Sequence, residues 1–376
     1  MEATEAKRYF STELLSWYRR HKRDLPWRRH RNAYYTWVSE IMLQQTRVDT
    51  VIPYFNRFIE QFPTVQALAE APEEEVLKAW EGLGYYSRAR NLQSAVREVH
   101  ESYGGVVPDS KEAVSALKGV GPYTTGAILS IAYNKPEPAV DGNVMRVLSR
   151  YFRIEDDIAK PRTRVRMEVL AQELIPEGAA GDFNQGLMEL GALVCTPKSP
   201  HCLTCPVMAH CAGRAAGVEE TLPVKTKAKP PRPEARAAII LQGSSSEAGK
   251  VLIRQRPSTG LLARMWELPH TELSSASAGA GAAALPAAHA ALSAHLAEQG
   301  FALEAPRWLL QTEHTFSHIH WQMDVLLGSL DVSVSGYGAT DRLPSHYRWI
   351  SREEMADFAF PNVFLRILNA YFDQHA

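Results

Sequence analysis

All four cysteines of this 376-residue chain fall in one short stretch, as Cys195, Cys202, Cys205 and Cys211, a C-x6-C-x2-C-x5-C run. Thiols gathered so tightly, in loops stiffened by Pro197, Pro200 and Pro206, can all turn toward one point, and the spacing asks for a metal centre. A [4Fe-4S] cluster suits single-ligand spacings of this kind. Zinc also takes four thiolates, but its structural sites usually pair two C-x2-C knuckles, and only Cys202 and Cys205 are so placed. Disulfides would suit a secreted chain, whereas MEATEAKRYF lacks an apolar signal core. Two carboxylates offer a second chemistry. Glu40 lies in TWVSEIMLQQ beside Trp37, Val38, Ile41, Met42 and Leu43, and desolvation there would raise its pKa toward that of a proton donor at neutral pH. The competing reading is a surface glutamate on a polar stripe. Asp141, in AVDGNV, precedes a Gly142-Asn143 turn that opens a helix, where it either caps that helix or supplies an anion to a reacting group. An acid that neutralises a leaving base, with an anion beside the electron-poor sugar carbon, is what breaking a glycosidic bond needs.

The elements that must hold these groups are helical up to about residue 213. Phe10, Leu14 and Tyr18 recur at helical spacing, as do Phe183, Leu187, Leu190 and Val194 just before the first cysteine. LKGVGPYTTGAILSIAY, residues 117–133, joins two helices with almost no loop. Gly119 suits the left-handed end of the first helix, Gly121 allows a close backbone approach, and Pro122 suits the first turn of the second. Such a helix-hairpin-helix presents free amides to one DNA phosphate without reading a base; a tight corner with no ligand is the alternative. Between Arg19 and Arg31 seven cations oppose the single acid Asp24, interleaved with Trp27, on a chain whose net charge is only −1. That run reads either as a solvated face or as a surface for bases and phosphates.

Residues 217–235, rich in proline and lysine, read as an extended interdomain linker. Beyond it come β-rich runs at 237–242, 250–256, 318–327 and 347–350 and a helix near the C-terminus, an α+β pattern. Residues 274–294 are so rich in Ala, Ser and Gly that a mobile loop followed by a weak helix is expected. The expected division is 1–216, 217–235 and 236–376.

PWR (26–28), SEIMLQQTRVDTVIPYF (39–55), GLGYYSRARNL (82–92), LKGVGPYTTGAI (117–128), AVDGNV (139–144), FNQGLMELGALVC (183–195), the cysteine run, GLLARMWELP (260–269) and TFSHIHW (315–321) together resemble the MutY-type adenine DNA glycosylases. The resemblance covers nearly the whole chain and implies an all-α helix-hairpin-helix glycosylase domain with a [4Fe-4S] loop, followed by an α+β Nudix-like domain. It implies an enzyme that removes adenine opposite 8-oxoguanine or guanine in double-stranded DNA; composition and the lack of a long apolar run make a cytoplasmic monomer, nucleoid-associated if bacterial and without membrane contact, the expectation. Carried over residue by residue, it makes Glu40 the donor to adenine N7 and Asp141 the sugar-stabilising anion, electrostatic or covalent. Tyr123 and Asn143 position the sugar, the water or the two acids. Arg23, Trp27, Arg28, Leu43, Val48 and Gln185 line the adenine pocket. Gln45 and Tyr85 enter the duplex, with Thr46 and Leu83 beside them, and Gly119 and Gly121 grip phosphate. Phe316, Ser317 and His318 contact 8-oxoguanine; taken alone, Phe316 is equally a core aromatic and His318 a solvated strand end. The related endonuclease III group has a lysine where Tyr123 stands, so the resemblance implies hydrolysis without strand nicking. The second domain lacks the glutamate cluster a Nudix hydrolase needs for magnesium, so its task reads as binding. A bifunctional glycosylase for oxidised pyrimidines and a non-enzymatic redox sensor are the competing readings.

Overall fold

A computed structural model describes residues 3–274, 281–330 and 343–375. Contacts divide it into two units, Met1–Ala71 with Arg88–Ala228, and Pro72–Ser87 with Lys229–Ala376.

The first unit is helical, built from α1 (Ala3–His21), α2 (Ala33–Leu43), α3 (Val48–Gln61), α4 (Val65–Glu70), α6 (Ser87–Ser102), α7 (Lys111–Ala116), α8 (Pro122–Ala127), α9 (Gly142–Tyr151), α10 (Pro161–Leu174), α11 (Ala180–Leu193) and the short α12 (Ala212–Ala215), with α5 (Glu73–Ala79) lying in the second unit. Its core is the one that helical spacing foretells: Phe10, Leu14 and Tyr18 of α1 are buried in one cluster with Phe183, Leu187 and Leu190 of α11 and Val194 just after it. Those matched apolar stripes bind α11 to α1, which carries the cysteine loop and the pocket wall on the same framework. The hairpin forms as expected. Gly119 ends it in the left-handed region at φ +77°, where a Cβ would stand 2.8 Å from the Asn91 Cβ, and Pro122 occupies the first turn of α8 after Gly121. Five further residues, Ile128–Ala132, continue α8 as a wider π-helical turn.

Among the described residues the second unit is a seven-stranded mixed sheet between helices. The strands are β1 (Arg232–Gln242), β2 (Val251–Gln255), β3 (Trp266–Glu267), β4 (His270–Glu272), β5 (Arg307–Thr315), β6 (Ile319–Ser329) and β7 (Tyr347–Ile350). The order β3-β2-β1-β6-β5 has β1 and β6 parallel, with Ala238 opposite Val325 and Ile240 opposite Leu327. Alternation along β1 fixes both layers. Ala238 and Ile240 face Val363, Phe364, Ile367 and Leu368 of the C-terminal helix α14 (Asn362–His375), while Ala237, Ile239 and Leu241 face Ala288, Leu292 and Leu296 of α13 (Leu285–Ala297). The helix expected in the Ala-rich stretch is therefore α13; the mobile loop expected ahead of it falls partly on residues outside those described.

Two boundaries differ from the expected linker and domains. Residues 217–228 belong to the first unit: Leu222 is buried and its carbonyl accepts Arg150 Nε at 3.0 Å, Ile158 N–H donates to the Val224 carbonyl at 3.0 Å, and Thr226 N–H donates to Asp157 at 3.1 Å. Extended strand begins already at Arg232, so the proline-rich stretch supplies much less free chain than its composition suggests. Pro72–Ser87 groups with the second unit, where Lys78 Nζ donates to the carbonyls of Met355 (3.2 Å) and Phe358 (2.9 Å) and Glu81 accepts the Phe360 amide at 2.7 Å.

Candidate active site

α2 is apolar on nearly every side, so it buries the one acid it carries. Glu40 is 5 % exposed, and burial pushes its carboxyl up to about 7, a rise opposed by the hydrogen bond from Tyr123 and aided by the negative charge of Asp141. The surface-glutamate alternative is thereby removed. Tyr123, in the first turn of α8, donates its hydroxyl to Glu40 Oε2 and sits 3.3 Å from the Met188 sulfur. Burial, and then the charges of Glu40 and Asp141, lift this phenol well above its usual range, which keeps it a donor.

Asp141 caps the helix it precedes. Oδ1 caps α9 by accepting the Val144 amide at 2.7 Å, while Oδ2 accepts Asn143 Nδ2 at 3.0 Å. Burial raises its pKa, but those bonds and the positive end of a ten-residue helix work to keep the carboxylate charged. Asn143 is itself held, because its Oδ1 accepts Arg146 Nη2 at 2.7 Å, and Arg146 also donates to the carbonyls of Gly191 and Cys195, both at 2.8 Å. Gly191 permits this closeness: a Cβ there would lie 2.6 Å from that of Asn143.

Glu40 and Asp141 open onto one cavity of about 740 Å³, within the range of small-molecule sites. Its lining includes every other first-unit site residue expected from the sequence except the four cysteines, namely Tyr123, Asn143, Arg23, Trp27, Arg28, Leu43, Val48, Gln185, Gln45, Thr46, Gly119 and Gly121. Of the basic run, Arg23 and Arg28 enter this wall through ion pairs to Glu189, whereas Arg19 pairs with Asp182 and Arg29 with Asp24 at the surface. Much of its charge is therefore compensated within the fold. Gln45 follows α2 at φ +59°, in a turn fastened by Arg88 Nη1, which donates to the carbonyls of Ile41 (2.7 Å), Met42 (3.1 Å) and Gln44 (2.5 Å).

The far end of α9 meets the cysteines. Cys195, Cys202, Cys205 and Cys211 line a single small cavity with Arg150 and Glu219. Arg150 donates to Cys195 Sγ at 3.3 Å and to the carbonyls of Thr196 (2.7 Å) and Pro197 (3.1 Å). Burial raises the thiols of Cys202 and Cys211 and pushes Cys205 up to about 12, so those three persist as thiolates there only against bound metal. Among the described residues no three His, Cys, Asp or Glu side chains converge on a single ion. As a donor set, four cysteines lining one small cavity fit a tetrathiolate metal centre.

The other expected site residues lie in the second unit. Leu83 is buried, and Tyr85 is 44 % exposed at φ +49°. Phe316 packs edge-on against Trp321 and His314 at 4.8 and 4.6 Å, so it is in part the core aromatic of the plainer reading. Ser317 and His318 are exposed and 3.1 Å apart, at a hairpin tip closed by the Phe316 amide on the Ile319 carbonyl. Glu267 is fully buried; burial opposes its ionisation, but His270, Arg254 and Arg256 outweigh that and bring it down to about 2. Locked in those bonds, it has no coordination to offer a magnesium ion.

Sequence reasoning passed over Glu189, Arg88 and Arg146. Apart from Asn143, three positions from Arg146, their partners lie tens to more than a hundred positions away, and the only local signal, at Glu189 and Arg146, was a charged residue among apolar helical neighbours.

Residues 38–173 match the profile of the HhH-GPD superfamily of base excision DNA repair proteins, and residues 238–370 match that of the NUDIX domain. A human adenine DNA glycosylase is 36 % identical over 96 % of this chain and 74 % of its own length, and the rat protein of that name is 37 % identical over 96 % and 78 %. A thermostable thymine-DNA glycosylase structure, 31 % identical, covers 57 % of this chain and 100 % of its own at a TM-score of 0.53. An endonuclease III–DNA complex, 24 % identical, shares the fold over 58 % of this chain and 99 % of its own at a TM-score of 0.50.

Proposed function

This chain belongs to the adenine DNA glycosylases, and from that premise we propose that it extracts adenine opposite 8-oxoguanine or guanine from the duplex and hydrolyses its N-glycosidic bond. Adenine inside a base stack cannot reach a buried carboxyl, so the nucleotide must swing out into the cavity of the first unit. There Glu40, holding its proton at neutral pH, delivers it to N7 and makes the base a neutral leaving group. Tyr123 fixes the orientation of that carboxyl. Asp141, oriented by the Val144 amide and by Asn143, faces the sugar carbon as positive charge develops, and water completes the cleavage. Asn143 is aimed in turn by Arg146. Arg23, Trp27, Arg28, Leu43, Val48 and Gln185 close around the base. Because residue 123 is a tyrosine, it supplies no amine for a Schiff base, and the product is an intact strand with an abasic site.

Phosphates rest on the hairpin at Gly119 and Gly121; Gln45 and Tyr85 enter the duplex near the damaged guanine, with Thr46 and Leu83 beside them. Phe316, Ser317 and His318 read the opposing 8-oxoguanine. Cys195, Cys202, Cys205 and Cys211 hold a [4Fe-4S] cluster, which when bound supplies iron–thiolate bonds that tie the loop between Cys195 and Cys211 together.

The observation that carries this reading is that a carboxyl with a raised pKa and a hydrogen-bonded carboxylate open on the same cavity. Single-turnover assays on duplexes holding A opposite 8-oxoguanine, A opposite guanine, and thymine glycol test it. Release of adenine from the first two without strand cleavage is expected. Activity confined to thymine glycol would overturn it.

A further inference from the structure

Glu189, on α11, is a second buried acid in the cavity wall, with a side chain 1 % exposed. Its carboxylate accepts four hydrogen bonds: the Arg23 amide at 3.0 Å, Arg23 Nε at 2.8 Å, Arg23 Nη2 at 2.9 Å and Arg28 Nη2 at 2.9 Å. Arg28 Nη1 closes the ring on the Arg23 carbonyl at 3.3 Å. Two half-buried guanidiniums beside a base pocket need a counter-charge, and unpaired they would act on other carboxyls. For Arg28 one such carboxyl is Glu40, on which its charge already acts, and for Arg23 it is Asp49.

We propose that Glu189 is a positioning residue for the proton donor: it aims Arg23 and Arg28 at the base and offsets their charge, so that Arg28 does not take Glu40 as its counter-ion. The inference rests on the adenine-excision reading above. The charged and titratable groups facing Glu189 are Arg23 and Arg28 from the segment after α1, and Tyr18 of α1, which also feels Asp182 of α11. Asp49 of α3 acts on Arg23. Those facing Glu40 are Tyr123 of α8, Asp141 at the start of α9, and Arg28. Burial opposes the ionisation of Glu189, yet its bonds to Arg23 and Arg28 bring it down to about 2, so it stays an anion through the working range.

Glu189→Gln removes one negative charge and leaves both cations. Their added field favours ionised Glu40, and the alkaline limb of the single-turnover rate against pH moves to lower pH by roughly half to one unit. From a donor with a pKa of about 7, that costs about three- to eightfold in rate at pH 7.5 and little at pH 5.5. Arg28→Met, which removes a cation, moves the limb the other way, and Glu189→Asp, which keeps the charge, restores the wild-type limb whatever its maximal rate. An unmoved limb in both Glu189→Gln and Arg28→Met, with rates lowered equally at every pH, would overturn the proposal and leave Glu189 a purely structural ion pair. Wild-type protein that released no adenine would overturn instead the activity on which the inference stands.

Discussion

Replacing Glu40 by glutamine removes an ionisation that the fold resists. An unfolded chain ionises this carboxyl with a pKa near 4.5, the folded chain near 7. Between those values the native protein retains a proton that the unfolded chain has lost, so stability falls as pH climbs through the window. The full penalty is about 3 kcal/mol above pH 8, and less than about 1 kcal/mol at pH 5. Glutamine is a neutral shape-mimic of the protonated acid and escapes it. Glu40→Gln should therefore lack adenine excision yet unfold at higher temperature than the wild type at pH 8.5, by several degrees given about 2–4 °C per kcal/mol for a unit of this size, and differ little from it at pH 5. Glu189 does not blur the comparison, because its lowered pKa makes stability fall only as pH drops below about 4.5, outside the window. Thermal unfolding of both proteins from pH 5 to 8.5 reads the difference. A variant less stable than wild type at pH 8.5, or a gain independent of pH, would refute the assignment of Glu40 as a desolvated acid.

Gly191→Ala should push a methyl into Asn143, costing about 1–3 kcal/mol by overpacking and lowering the excision rate beyond what unfolding explains; thermal melts paired with single-turnover rates would show both. The purified protein should be brown, with broad visible absorption that is lost on iron chelation, and a colourless protein containing zinc would contradict the cluster. Combined Ser317→Ala and His318→Ala changes, both at exposed positions, should leave the melting temperature and the rate opposite guanine unchanged while lowering the preference for 8-oxoguanine; equal loss on both substrates would count against these contacts.

How far the site was legible follows from the range of each interaction. Glu40 announced itself because a single acid among Trp37, Val38, Ile41 and Met42 has nowhere polar to go, and the α1 and α11 stripes specified their own packing. The four cysteines shared one loop, so proximity in sequence was proximity in space. Glu189 was silent because its meaning lies in Arg23 and Arg28, more than 160 positions earlier. The same pairing made the basic run look freer than it is. Strand β5 escaped notice because its residues are half-exposed in alternation and carry polar side chains, while β3 and β4 span only two and three residues. The capture of Pro72–Ser87 by the second unit depends on Lys78 and Glu81 meeting backbone groups near residues 355–360, which no local pattern encodes.

The central claim is that Glu40 and Asp141 act from one cavity on one nucleoside. Its most direct test is the single-turnover rate of adenine release from an A:8-oxoguanine duplex by Asp141→Asn, which keeps the shape of the side chain and removes its charge. A fall of at least about a hundredfold with duplex binding retained is predicted; release at the wild-type rate would contradict the account.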